Sequence, residues 1–240
     1  DSDFLYALGS LTHEAGHGMY EQGLPAEMYG TEAGEVPSLG IHESQSRLWE
    51  NMVGKSAAFC DFLLTLVSEA RGSANSEFYR AMNIVQPSLI RTDADEVTYN
   101  LHICVRFEIE RALIEGTLKP VDVRESWNAK YREYLGIVPT NDKEGVLQDV
   151  HWSFGYFGYF PTYAIGNLYS AQIFDAAERA LPSLAAQIRA GDFRPLKDWL
   201  QSKIYSRGGA LEAAELVTEA TGSVPDPAHF TRYLERKYSA

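Results

Sequence analysis

The sequence predicts an all-α fold, and three observations carry that expectation. Residues 3–22 are good helix formers with apolar side chains at helical spacing, and the same spacing returns along most of the 240 residues. Glycine and proline cluster between those stretches, where they end helices. No internal repeat, low-complexity tract or linker interrupts the pattern, so residues 1–240 read as a single helical domain.

The elements follow in order. The first helix closes at Gly23-Leu24-Pro25, and residues 24–38 form a loop. A long helical pattern runs over 39–70 and is stopped by Arg71-Gly72-Ser73. Shorter helices are predicted at 75–86, 93–116 and 121–135. Residues 136–161 break the pattern with Gly, Pro and Asn and an aromatic run from His151 to Phe160. A loop of that length in a compact domain is functional or disordered, and its aromatic content argues for function. Helices resume at 162–190, 195–205, 209–221 and 227–238.

Composition narrows the partners. Lys and Arg total 21 against 33 Asp and Glu, a formal charge of -12. No basic stripe is present to meet phosphates, so nucleic acid is not an expected partner. No run of 18 apolar residues occurs, and no membrane span is expected. The two cysteines, Cys60 and Cys104, are too few for a disulfide framework and fit a reducing, cytoplasmic setting.

The chemistry-bearing motif is His13-Glu14-Ala15-Gly16-His17. Positions i and i+4 share one helix face, so both imidazoles can reach a single ion. Glu14 is rotated away from His13, beside the ion without binding it, where its carboxylate can take a proton from water that zinc has acidified. A catalytic zinc needs a third protein ligand and an open position. Glu21, Glu35, Glu43, Glu50 and the other histidines are candidates. Glu43 is the best placed, early in the second long helix and beyond a loop that lets it fold back. It could instead be a solvated carboxylate paired with Arg47 one turn later.

The run His-Glu-Ala-Gly-His-Gly-Met-Tyr-Glu-Gln-Gly from His13 and the run Ile-His-Glu-Ser-Gln-Ser-Arg-Leu-Trp-Glu-Asn from Ile41 closely resemble the carboxypeptidase Taq family. The blocks Ile90 to His102 (IRTDADEVTYNLH) and Gly145 to Trp152 (GVLQDVHW) agree with it in the same order. The resemblance implies a gluzincin-type helical metallopeptidase domain, its zinc site between two antiparallel helices. His13, His17 and Glu43 would be the ligands and Glu14 the base. The implied activity is a metal-dependent carboxypeptidase that removes single residues from peptide C-termini, with Zn2+ or Co2+. It also implies a homodimer, and a helical N-terminal half ahead of the zinc helix, so these residues are expected to be a piece of a longer protein, one of two separate chains, or a reduced homologue.

The aromatic segment is similar to the substrate-facing His and Tyr loop of related helical metallopeptidases. By that similarity Tyr163 donates to the oxyanion, and His151 and Tyr156 contact substrate. A carboxypeptidase must hold a free carboxylate, which suits an arginine fork, and Arg91 is the candidate. Arg91 could instead pair with Asp93 or Glu96, and Arg106 reads as an i,i+4 partner of Glu110. Asp95, Glu96 and Glu50 are possible acceptors for the ligand histidines' second ring protons. His42 is expected to point to another face of the helix than Glu43 and at most to stand behind the ligands, His102 to be a hydrogen-bonded core residue, and His229 to lie at the surface. Two other readings compete: a non-catalytic or partner-dependent helical metal-binding module, and a gluzincin endo- or aminopeptidase.

Overall fold

The computed structural model describes residues 4–66 and 74–239. Among them every regular element is helical and no strand occurs, as the sequence predicts.

Helix α1 (Phe4–Gly23) stops where Leu24 precedes Pro25, because a residue before proline is pushed out of the helical region. Two short 3-10 turns, Ala26–Met28 and Glu32–Gly34, lead to Ser38. The Ser38 hydroxyl accepts from the Ile41 amide at 3.1 Å and so caps α2 (Leu39–Arg47). The one helix expected over 39–70 is in pieces: α2, a π-helical turn at Leu48–Val53, and α3 (Ala57–Leu66). The break comes at Gly54-Lys55-Ser56, where the Ser56 hydroxyl takes the Phe59 amide at 3.1 Å and starts a new helix. The stop expected at Arg71-Gly72-Ser73 lies outside the described residues.

Helix α4 (Ala74–Met82) is followed by irregular chain. Helix α5 (Tyr99–Ile114) begins later than the expected 93. Asp95 holds the amides of Val97 and Thr98 at 2.8 and 2.9 Å, a local turn that delays the helix. Helix α6 (Val123–Leu135) ends at Gly136 in the left-handed region, φ 72. Residues 136–160 carry only a 3-10 turn at Trp152–Phe154. Helix α7 (Pro161–Ala180) starts on a proline, which suits a first helical position, and the Leu181-Pro182 step cuts the helix expected over 162–190. Helices α8 (Leu184–Arg189), α9 (Arg194–Lys203), α10 (Ala213–Thr221) and α11 (Ala228–Tyr238) complete the chain.

The chain divides into two compact units, Asp1–Asn83 with Ile165–Ala240, and Ile84–Ala164. The first is built on an apolar cluster that includes Tyr20, Ile41, Leu48 and Trp49, with Ile173, Leu196, Leu200 and Leu216, all buried. Each such aliphatic side chain contributes about 1.5–3 kcal/mol by leaving water. The second packs Val105 and Ile109 of α5 against Trp127, Tyr131 and Leu135 of α6. Its boundary at Ile165 falls inside α7, where composition gives no linker signal.

Candidate metal centre

In the first unit α1 and α2 run antiparallel. Sequence numbers rise along one as they fall along the other: His17 meets Glu43 and Glu21 meets His42 on α2, and His13 meets Glu50 on the π turn that continues it. Gly16 makes the approach possible, since a Cβ there would lie 2.6 Å from the Ser46 Cα and 2.7 Å from the Gln45 carbonyl oxygen.

One turn apart on α1, His13 and His17 bring their Nε2 atoms to 3.2 Å of each other. The Glu43 side chain, on a residue only 6% exposed, places Oε2 at 3.9 Å from His13 Nε2 and 3.6 Å from His17 Nε2. A tetrahedral ion with bonds of about 2.0–2.1 Å spaces its ligand atoms about 3.4 Å apart. The observed edges therefore suit one ion. The His/Cys/Asp/Glu cluster found among the described residues holds these three side chains, and Glu14 is exposed and outside it.

The groups behind the ligands fix how they point. His13 Nδ1 is 2.9 Å from Glu50 Oε2, so its proton goes there and Nε2 presents a lone pair. Arg47 donates through Nε to Glu43 Oε1 at 2.8 Å and through Nη1 to Glu50 Oε2 at 3.1 Å, and Lys55 Nζ lies 3.5 Å from Glu50 Oε1. Burial opposes the charged form of Glu50, but Arg47, the bond from His13 and Lys55 outweigh it and hold its carboxyl well below the usual range. Burial, then the neighbouring His42 and His13, push the His17 imidazole down to about 4. Two imidazoles whose Nε2 atoms converge beside a carboxylate form a donor set that a divalent cation satisfies. Pairing with Arg47 and facing the histidines are thus compatible for Glu43, which uses one oxygen for each. His42 stands behind a ligand: its ring meets His17, because α2 lies directly against α1.

The second unit holds the other residues singled out in the sequence. His151 Nε2 lies 3.0 Å from the Tyr163 hydroxyl, and its ring packs on Phe160 at 4.3 Å between centroids. Burial is the main cause that lowers the His151 pKa, with Asp149 opposing and Arg91 and Arg106 adding to it. Tyr156 is 56% exposed, with its ring centroid 6.1 Å from both Phe154 and Tyr159. Gly155 and Gly158 have φ 77 and 82 with open space where a Cβ would stand. Both adopt the left-handed backbone region that glycine enters without strain.

Arg91 is buried, and a distant carboxylate holds it. Its Nε and Nη2 donate to Asp149 Oδ1 at 3.0 and 2.8 Å and its Nη1 to the Tyr99 hydroxyl at 2.9 Å. Arg106 is fully buried and donates to Asp149 Oδ2 at 2.7 Å, to the His102 carbonyl at 2.8 Å and to Gln148 Oε1 at 2.7 Å. Glu110 instead accepts from the Trp152 indole at 2.7 Å and the Gly158 amide at 3.2 Å. His102 is the core histidine expected, 3.1 Å from the Tyr131 hydroxyl, while His229 is half-buried on Asp175 at 2.9 Å rather than free at the surface. Burial works against the Asp149 carboxylate, yet the two arginines hold its carboxyl below the ordinary 3.8. A depressed folded value adds stability above the unfolded pKa and loses it as pH falls through the folded one. Acid unfolding should therefore set in below about pH 4 and flatten in Asp149→Asn, which we expect to cost about 1.5–3 kcal/mol at neutral pH in urea titrations.

Described elements that are all helical, with antiparallel helices bringing His, His and Glu to one point, have the architecture of a gluzincin-type helical metallopeptidase. The family model of the carboxypeptidase Taq (M32) metallopeptidases matches residues 1–238, and the chain belongs to that family. It is 50% identical over 244 residues to thermostable carboxypeptidase 1 of Thermus thermophilus, covering 99% of this chain and 48% of that protein. The structure of the M32 carboxypeptidase from Deinococcus radiodurans R1 superposes with a TM-score of 0.91 at 45% identity, covering 96% of this chain and 48% of that one. Trypanosoma cruzi metallocarboxypeptidase 1 gives a TM-score of 0.91 at 40% identity, over 97% of this chain and 50% of that one. The chain spans about half the length of the curated relatives it matches.

Proposed function

We propose that this chain carries the metal-dependent chemistry of a carboxypeptidase that hydrolyses single residues from peptide C-termini. The observation that carries the reading is the convergence of His13, His17 and Glu43 on one point, with Glu14 between the two histidines on the same helix. A divalent ion held there, zinc or cobalt, would polarise the scissile carbonyl and acidify water. The chain's own residues supply the rest. Glu50 and Arg47 orient His13 and Glu43. Glu14, as general base, accepts a proton from water on its carboxylate and returns it to the leaving amine.

For Tyr163 the proposed role is a hydrogen bond to the developing oxyanion, with His151 holding its hydroxyl. Arg91 and Tyr156 are proposed substrate contacts, Arg91 for the terminal carboxylate, which would have to share its guanidinium with Asp149 and Tyr99. The 240 residues are proposed to act as one catalytic domain, on peptides, as a homodimer and in the cytoplasm. Free Cys60 and Cys104 support the last of these. No helix among the described residues is long and apolar enough to cross a membrane.

The test is release of a C-terminal residue from an N-blocked dipeptide by the purified chain supplied with zinc or cobalt. Release is expected, with Tyr163→Phe lowering kcat about 100-fold and leaving KM nearly unchanged. A chain that binds one ion and releases nothing would overturn the claim that these residues suffice for the reaction.

A further inference from the structure

His13 and His17 are supported differently. A half-buried carboxylate, Glu50, meets His13 directly. Behind His17 stands another histidine: His42 Nδ1 lies 2.5 Å from His17 Nδ1, and His42 Nε2 lies 2.7 Å from Glu21 Oε1. Glu21 is one turn beyond His17 on α1, and His42 immediately precedes Glu43 on α2. The Tyr20 ring meets His42 edge-on at 5.5 Å and limits its rotation.

We propose that Glu21 and His42 form a hydrogen-bonded relay that sets the tautomer and aim of His17, making His42 a positioning residue for the metal. The inference rests on the metal reading of His13, His17 and Glu43. The proton order follows from donor and acceptor types. An ionised carboxylate only accepts, so Glu21 requires the His42 proton on Nε2. That leaves a lone pair on His42 Nδ1. Two facing ring nitrogens at 2.5 Å share one proton, so the proton between them belongs to His17 Nδ1. His17 Nε2 is then bare and directed at Glu43 Oε2, the state a metal ligand needs. Reversing the order would put a proton on His17 Nε2 and block coordination. Residues 42 and 43 thus serve the site as a pair, one fixing a ligand and the next being one.

The experiment measures zinc affinity of the full chain by competition with a chromophoric chelator, alongside thermal unfolding of the metal-free form. His42→Ala should weaken zinc about 10- to 100-fold. His42→Gln, whose carbonyl can accept from His17 while its amide donates to Glu21, should recover most of that loss. Glu21→Ala, at an exposed position, should weaken zinc in the wild-type background and add nothing in the His42→Ala background. Metal-free unfolding midpoints should stay close to wild type, and the visible band of the cobalt form should shift in His42→Ala only. Wild-type affinity in His42→Ala or additive losses in the double variant would overturn the relay. His17→Ala separates the two readings: if it binds zinc as tightly as wild type, the metal site itself is wrong and the relay falls with it.

Discussion

Glu14→Gln is expected to lower turnover about 10²- to 10⁴-fold while leaving one ion bound per chain. The substitution keeps the size and shape of the side chain but removes its ability to take a proton. Glu14 is exposed and stands outside the ligand cluster, so its loss should not disturb coordination. Its charge acts on His17 electrostatically, favouring the protonated imidazole. Metal content by elemental analysis and kcat on an N-blocked dipeptide, measured on the same sample, separate the possibilities. Retained turnover within tenfold of wild type would remove Glu14 as the base. Loss of metal together with activity would make it part of the coordination instead.

Much of this site was legible because helical spacing is local. Positions 13 and 17 share a face whatever the rest of the chain does, so two ligands and a base follow from five residues. The third ligand required a guess about a turn. Of the four glutamates in contention, Glu21, Glu43 and Glu50 all lie at the site, and only Glu35 stays in an exposed loop. Spacing alone does not say which carboxylate faces the ion and which stands behind a histidine, because that depends on how α2 is rotated against α1. The rotation is set by backbone contact at Gly16, a feature no side-chain pattern records. The same limit explains the arginines. Neighbour-based pairing offered Asp93 and Glu96 to Arg91 and Glu110 to Arg106, yet both arginines converge on Asp149, more than forty residues from either. Buried guanidinium groups take whatever carboxylate the fold brings to them, and sequence distance is no guide. The π turn after α2 and the new helix after Gly54 were hidden for a related reason, since residues 39–66 keep helical composition across both.

Gly16→Val should be the most damaging substitution on α1, above about 3 kcal/mol in the metal-free chain. The atoms a side chain would meet are the Cα of Ser46 at 2.6 Å and the carbonyl oxygen of Gln45 at 2.7 Å, and backbone cannot rotate aside. The helices must separate, and a centre whose ligand edges are 3.2, 3.6 and 3.9 Å tolerates only a few tenths of an ångström. Gly9 supplies the internal control: nothing lies within 4 Å of its Cβ position, so Gly9→Ala should stabilise by about 1 kcal/mol through helix propensity alone. At Gly166 on α7 an added Cβ would meet Glu43 itself, 2.5 Å from its Cγ and 2.7 Å from its Cβ. Gly166→Ala should therefore lose metal affinity out of proportion to its loss of metal-free stability, because the ligand's side chain gives way before the backbone does. Urea unfolding with and without zinc distinguishes the two. If Gly16→Val unfolds like wild type, α1 and α2 do not meet through this glycine, and the geometry that brings Glu43 to the histidines needs another cause.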